Sequence, residues 1–171
     1  MAQTQAGVET PWDARKTLAN VINSEEQLKP ILAGLNPQQW YDQKGASSTY
    51  ILQWQSAQQQ LRDVDSAAKM LSQHIESLSQ NLDLYYRLEA LETTVRSVNE
   101  GAQRYASPAE GGKLAQWVAH AFDTRQRLRE YIRDLAGSLE QNFKIADEEA
   151  QRCRGLITTA PASPARRSTK H

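Results

Sequence analysis

Cys153 is the only cysteine in 171 residues and there are three histidines, so nucleophilic and metal chemistry have few carriers. Cys153 falls near the expected C-terminal end of a helix, where the partial negative charge disfavours a thiolate. Arg152 and Arg154 act in the opposite sense. The position reads as a small seam residue rather than a nucleophile. A di-metal bundle needs Glu-x-x-His on facing helices, and no Glu here is followed by His three residues on. His74 and His120 belong to different helices, roughly 14–28 Å apart along the axis at about 1.5 Å per residue. That is too far to share an ion. Neither His-Glu-x-x-His, a Gly-x-Ser-x-Gly elbow nor a phosphate-binding glycine loop occurs. Carboxylate pairs such as Asp63/Asp65 and Glu148/Glu149 fall on solvated faces, where both members ionise. The expectation is a non-catalytic chain with no metal and no cofactor.

Two constellations remain. Trp12, Trp40, Tyr41, Tyr50 and Trp54 gather in the first third of the chain. Packed on one another they make a small core at a bundle end. Exposed, Trp and Tyr dominate binding hot spots. Trp12, Trp40 and Trp54 are therefore candidate interaction residues, and a ligand pocket beneath the three is the alternative reading. The second constellation is Arg125, Arg129 and Arg133, which share one helix face at four-residue spacing. Arg125 interrupts an apolar seam. It is expected opposite Leu88, paired with Glu89 or Glu92 as a snorkelling, register-setting cation. Asp123, Glu130 and Asp134 break up the basic stripe, which argues against sequence-specific nucleic-acid binding.

The elements that must position these residues are all helical. From Leu114, steps of four and three give Leu114, Val118, Ala121, Arg125, Leu128, Ile132, Leu135, Leu139, Asn142, Ala146, Glu149 and Cys153, a sustained 3.5-residue seam. Trp117, Tyr131 and Phe143 widen it. A second seam runs from Tyr50 to Leu82 and a third from Leu84 to Tyr105, out of phase by two residues. A fourth comprises Ala14, Leu18, Val21, Glu25, Leu28, Leu32 and Leu35. No stretch alternates with period two. Acid-then-base pairs four apart, such as Glu25/Lys29, Asp65/Lys69, Asp83/Arg87 and Glu92/Arg96, are the favourable helical orientation.

Punctuation marks the ends. Ser107-Pro108-Ala109-Glu110 is a capping box with Pro at the first helical position. Asn36-Pro37 opens a short helix that Gly45 closes. Gly155 is expected to stop the last helix, and Pro30 to kink the first. Gly111-Gly112 weakens the start of the last helix. Residues 76–84 carry neither Gly nor Pro, so the favoured reading continues residues 48–105 as one rod of about 85 Å. This predicts an all-α fold: a long antiparallel helical hairpin, or coiled coil, with a shorter kinked N-terminal helix in a three-helix bundle. A turn near Gln80-Asn81 would give a four-helix bundle instead.

The domain boundaries follow. Residues 1–11 are expected to be disordered, 12–156 to form the helical domain, and 157–171 to be a disordered basic tail rich in Pro, Ala, Ser and Thr. No run approaches the roughly 20 apolar residues of a transmembrane helix. As written the chain reads as cytoplasmic; it would be secreted or periplasmic if Met1 replaces a removed signal peptide. Lys and Arg balance Asp and Glu at 20 each, which removes a global electrostatic case for polyanions. Together these features point to a coiled-coil scaffold or protein-interaction protein that binds a protein partner or itself through its seams. An envelope-associated protein acting through the basic tail is a further alternative.

Overall fold

The computed structural model describes residues 11–159. Every element in that range is an α-helix: α1 (Pro11–Gly34), α2 (Pro37–Lys44), α3 (Thr49–Gln73), α4 (Leu78–Tyr105) and α5 (Pro108–Thr159). The expected disorder of the N-terminus and of the basic tail lies outside the described residues, apart from Pro11 and residues 157–159, which are helical. The chain divides into two units, residues 1–135 and 136–171.

The first unit is a four-helix bundle whose neighbours run antiparallel. Trp54 Nε1 on α3 donates to the Leu32 carbonyl of α1 at 2.7 Å. The Tyr50 ring of α3 lies against Gly101 of α4, where an added Cβ would meet Cδ1 at 2.7 Å. Arg125 of α5 reaches Glu92 of α4 at 3.0 Å, and Trp117 of α5 reaches the Ser24 carbonyl of α1 at 2.9 Å. Each of the four helices thus has two neighbours, with α2 capping one end. The core matches the seams: Ala14, Leu18, Val21, Leu28 and Leu32 on α1, and Leu35 just beyond it, are all buried. So are Ala57, Leu61, Val64, Ala68 and Leu71 on α3, and Leu84, Leu88, Leu91, Val95, Val98 and Ala102 on α4.

The rod expected over residues 48–105 does not form. α3 ends at Gln73 and α4 starts at Leu78, so the four-helix alternative is the architecture, with its turn a few residues before Gln80-Asn81. Ser77 caps α4, its Oγ accepting from the Gln80 N–H at 3.4 Å. The fully buried Asn81 donates to the carbonyls of Ile75 and Ser77, both at 2.8 Å. Tyr131 Oη donates to the same Ile75 carbonyl at 3.2 Å. Side chains therefore satisfy the backbone groups that a helix break leaves unpaired, and neither Gly nor Pro is needed.

The other caps form as the sequence indicates. Ser107 Oγ accepts from the Glu110 N–H at 3.2 Å and donates to the Glu110 carboxylate at 2.9 Å. Asn36 Oδ1 accepts from the Gln39 N–H at 3.0 Å, and Gly45 closes α2 in the left-handed region at φ 68°. Pro30 is carried inside α1. The last helix does not stop at Gly155 but continues to Thr159. The second unit, described by itself, is residues 136–159 of α5; its side chains through Ile157 are exposed except for the half-buried Ala136 and Ala150.

Candidate functional sites

Trp40 lines a groove that Trp54 does not, and the backbone of Trp12 starts far along α1 from both. Trp12 lies in the first turn of α1, and twenty residues of helix, about 30 Å, separate it from Leu32, to which Trp54 is bonded. The side chain of Trp12 is outside the described residues. Trp40 is buried and stacks on Tyr105 at the end of α4, far from it in sequence, at 6.5 Å between centroids and 27° between planes. Tyr50 meets Trp40 and Tyr105 edge-on at 6.4 Å and 5.9 Å. These rings form a bundle-end core. Lys44 Nζ donates to the Tyr105 carbonyl and ties α2 to the end of α4. An open groove of about 230 Å³ runs beside Trp40, Lys44, Tyr105 and Glu110, away from Trp54.

The three arginines separate as well. Arg125 is buried and serves α4: its Nε bonds Glu92 at 3.0 Å, and one Nη bonds Tyr85 Oη at 2.9 Å and Glu89 at 3.4 Å. Its guanidinium lies 5.3 Å from the Tyr85 ring centroid and 5.6 Å from that of Phe122, within cation–π range. Burial opposes the charge, but the bond and field of Glu92, followed by Tyr85 and Glu89, outweigh it and raise the pKa. Glu92, itself buried, takes Arg96 at 2.8 Å with its other oxygen. Arg129 and Arg133 are exposed, and Arg133 approaches Asp134 at 3.8 Å. Arg125 is therefore a structural cation and the other two are surface charges, so the three do not make one anion site. Arg125 pairs with both carboxylates that its seam position places opposite it, Glu89 and Glu92.

Glu25 is the residue that sequence reasoning passed over. It occupies a seam position of α1, so the heptad spacing already placed it inside. Its Lys29 partner four residues on suggested a solvated face instead. In the bundle it is 4 % exposed, and neither carboxylate oxygen has a hydrogen-bond partner. Burial first, then the nearby Asp65 charge, push its pKa from 4.5 up to about 8, against the smaller pull of Lys69 and Lys29. It lines a cavity of about 110 Å³ between α1 and α3, together with Ile22, Lys29, Leu61, Asp65 and Lys69.

On the second unit, Leu139, Phe143, Ala146, Ala150, Cys153 and Ile157 recur at steps of four and three, within about 80° of arc at 100° per residue. Leu139 is 44 % exposed, and Phe143 and Ile157 are each 76 % exposed. Cys153 is exposed too, not the buried seam residue that the periodicity implied. His74 caps the end of α3 and His120 lies on α5, both exposed. Among the described residues no three His, Cys, Asp or Glu side chains are placed to hold a metal ion, and no helix is long and apolar enough to cross a membrane. No protein-family model, curated protein or solved structure matches the chain.

Proposed function

We propose that the chain is a non-catalytic interaction protein in which a four-helix bundle carries a helical docking segment, residues 136–157. One observation carries the reading: a heptad-spaced stripe with Leu139, Phe143 and Ile157 open to solvent. Contiguous exposed apolar surface of this kind marks interaction sites in water-soluble chains. The spacing is the knobs-into-holes repeat, so the matching partner is another helix, from a second copy or a different protein.

Sedimentation velocity of the full chain at high micromolar concentration tests it. The expected result is a dimer or larger species, or a co-purifying helical protein, with Phe143→Gln dispersing the complex. A strict monomer with no companion overturns the proposal. The tail-based alternative depends on residues 157–171, which are almost wholly outside the described residues.

A further inference from the structure

We propose that the helical docking segment, residues 136–157, pairs with the same segment of a second copy of this chain, antiparallel, about a two-fold axis at Glu148. This pairing rests on the docking role proposed above, and fixes the partner, its direction and its register.

The six stripe residues alternate between the two core positions of a heptad. An antiparallel copy in register therefore meets them wherever residue numbers sum to 296. Leu139 then faces Ile157 of the second copy, Phe143 faces Cys153, and Ala146 faces Ala150. The Phe143 ring, 76 % exposed in the single chain, is set against a small thiol. The alanines let the helices draw together at the centre. Large against small is the arrangement that fills a helix interface evenly. In a parallel pair each residue faces itself. Phe143 would meet Phe143 and hold the helices apart, while the next two layers would be alanine on alanine and the one after cysteine on cysteine. Those layers would keep voids, and a packed interface registers a gap of even one methylene. The antiparallel contact is isologous: a single surface is its own complement.

The flanking charges do not reverse this choice. Antiparallel pairing brings Glu140 beside Arg154 of the second copy at both ends, and sets Asp147 and Glu149 each beside its own counterpart. Parallel pairing brings Glu149 beside Arg154 twice. All of these side chains are exposed. Water and salt screen such pairs, so the fit of the apolar layers decides. Leu156, 67 % exposed, comes beside Asn142 of the second copy in the antiparallel pair and extends the covered apolar surface.

Sedimentation velocity of the full chain at high micromolar concentration should show a dimer. Phe143→Gln, which removes a large ring from two layers of each dimer, should weaken it by roughly tenfold or more. Direction is read on the native chain, which has two phenylalanines and one cysteine. When copies carrying ¹³C-labelled phenylalanine are mixed with unlabelled copies, isotope-filtered NOEs should connect the Phe143 ring of one to the Cys153 β-protons of the other. In a glutathione redox buffer the dimer should not acquire a Cys153–Cys153 bond. Antiparallel pairing keeps those thiols roughly 15 Å apart along the axis, beyond the Cα separation of about 7 Å that a disulfide spans. A dimer with Phe143–Phe143 NOEs, or one locked by a Cys153 disulfide, overturns the antiparallel register and leaves the docking role standing. A chain that is monomeric alone but holds a different helical protein overturns the second copy and likewise leaves that role. A strict monomer with no companion, or a dimer that Phe143→Gln leaves unchanged, overturns both.

Discussion

At the scale of single residues, two buried charges behave in opposite ways. Glu25 has no partner and is held protonated to about pH 8, whereas its ordinary value is 4.5. The folded chain therefore keeps a proton that the unfolded chain releases between those values. Stability is greatest below about pH 4.5 on this account, falls as the pH climbs towards 8, and levels off above it. The total is on the order of 3–5 kcal/mol. Glu25→Gln removes the titration but buries an amide that has lost its proton-sharing option, at a cost of about 1–3 kcal/mol. Denaturant melts of the two chains should cross: the variant weaker at pH 5 and stronger at pH 9. Parallel pH profiles would show that Glu25 is not the titrating group. Arg125, in contrast, is bonded through Nε and one Nη to Glu92, Glu89 and Tyr85. Arg125→Met strands the buried Glu92 carboxylate on one side and should cost about 3–5 kcal/mol. Adding Glu92→Leu should restore much of that loss, which urea titration of the single and double variants would read.

At the scale of helices, packing overrides propensity at two glycines and not at a third. Gly101 sits under the Tyr50 ring at a distance no Cβ tolerates, and that ring is held between Trp40 and Tyr105. Gly101→Ala should therefore destabilise by about 1–3 kcal/mol, although alanine is the better helix former. Gly111 has the Gln103 side chain against it, whereas Gly112 has nothing within 4 Å. Gly112→Ala should accordingly stabilise by up to about 1 kcal/mol. Thermal melts showing the same sign for Gly101→Ala and Gly112→Ala would contradict this reading. The same contrast explains what could be read in advance. Caps at Asn36, Gly45 and Ser107 are local, and each follows from its own few residues. The turn at residues 74–77 depends on Asn81 and Tyr131 reaching the Ile75 carbonyl, and Tyr131 is 56 residues away. Only Ser77 with Gln80 three residues on, half of a capping box, announced it. Glu25 was legible as a seam position, but its lack of a partner depends on where α3 places Asp65 and Lys69. Trp12 is close to Trp40 and Trp54 only in sequence; α1, a helix of 24 residues, carries its backbone away from the bundle end where Leu32 meets Trp54.

At the scale of the whole chain, the balance of 20 basic and 20 acidic residues is largely a surface arrangement. Asp65/Lys69, Asp83/Arg87 and Glu92/Arg96 close at 2.7–2.8 Å, and water and salt screen such pairs where they are exposed, so they add little to stability. The burden of stability falls on the core. Among the described residues every buried apolar side chain lies between Ala14 and Tyr131, with Leu135 packed at its edge. Residues 136–157 add none. A chain ending at Leu135 therefore keeps all of the buried core among the described residues and should unfold in one cooperative step, with a midpoint within a few degrees of the full chain and independent of its own concentration. The full chain should differ in one respect: its midpoint should rise with protein concentration, because association through Leu139, Phe143 and Ile157 stabilises the bound form by mass action. Calorimetry of both chains over a hundredfold concentration range separates the two units. A truncated chain that fails to fold would mean that residues 136–159 are part of the folding unit. A full-length midpoint independent of concentration would leave the apolar stripe without a second copy to bury it and turn the search to a different helical partner.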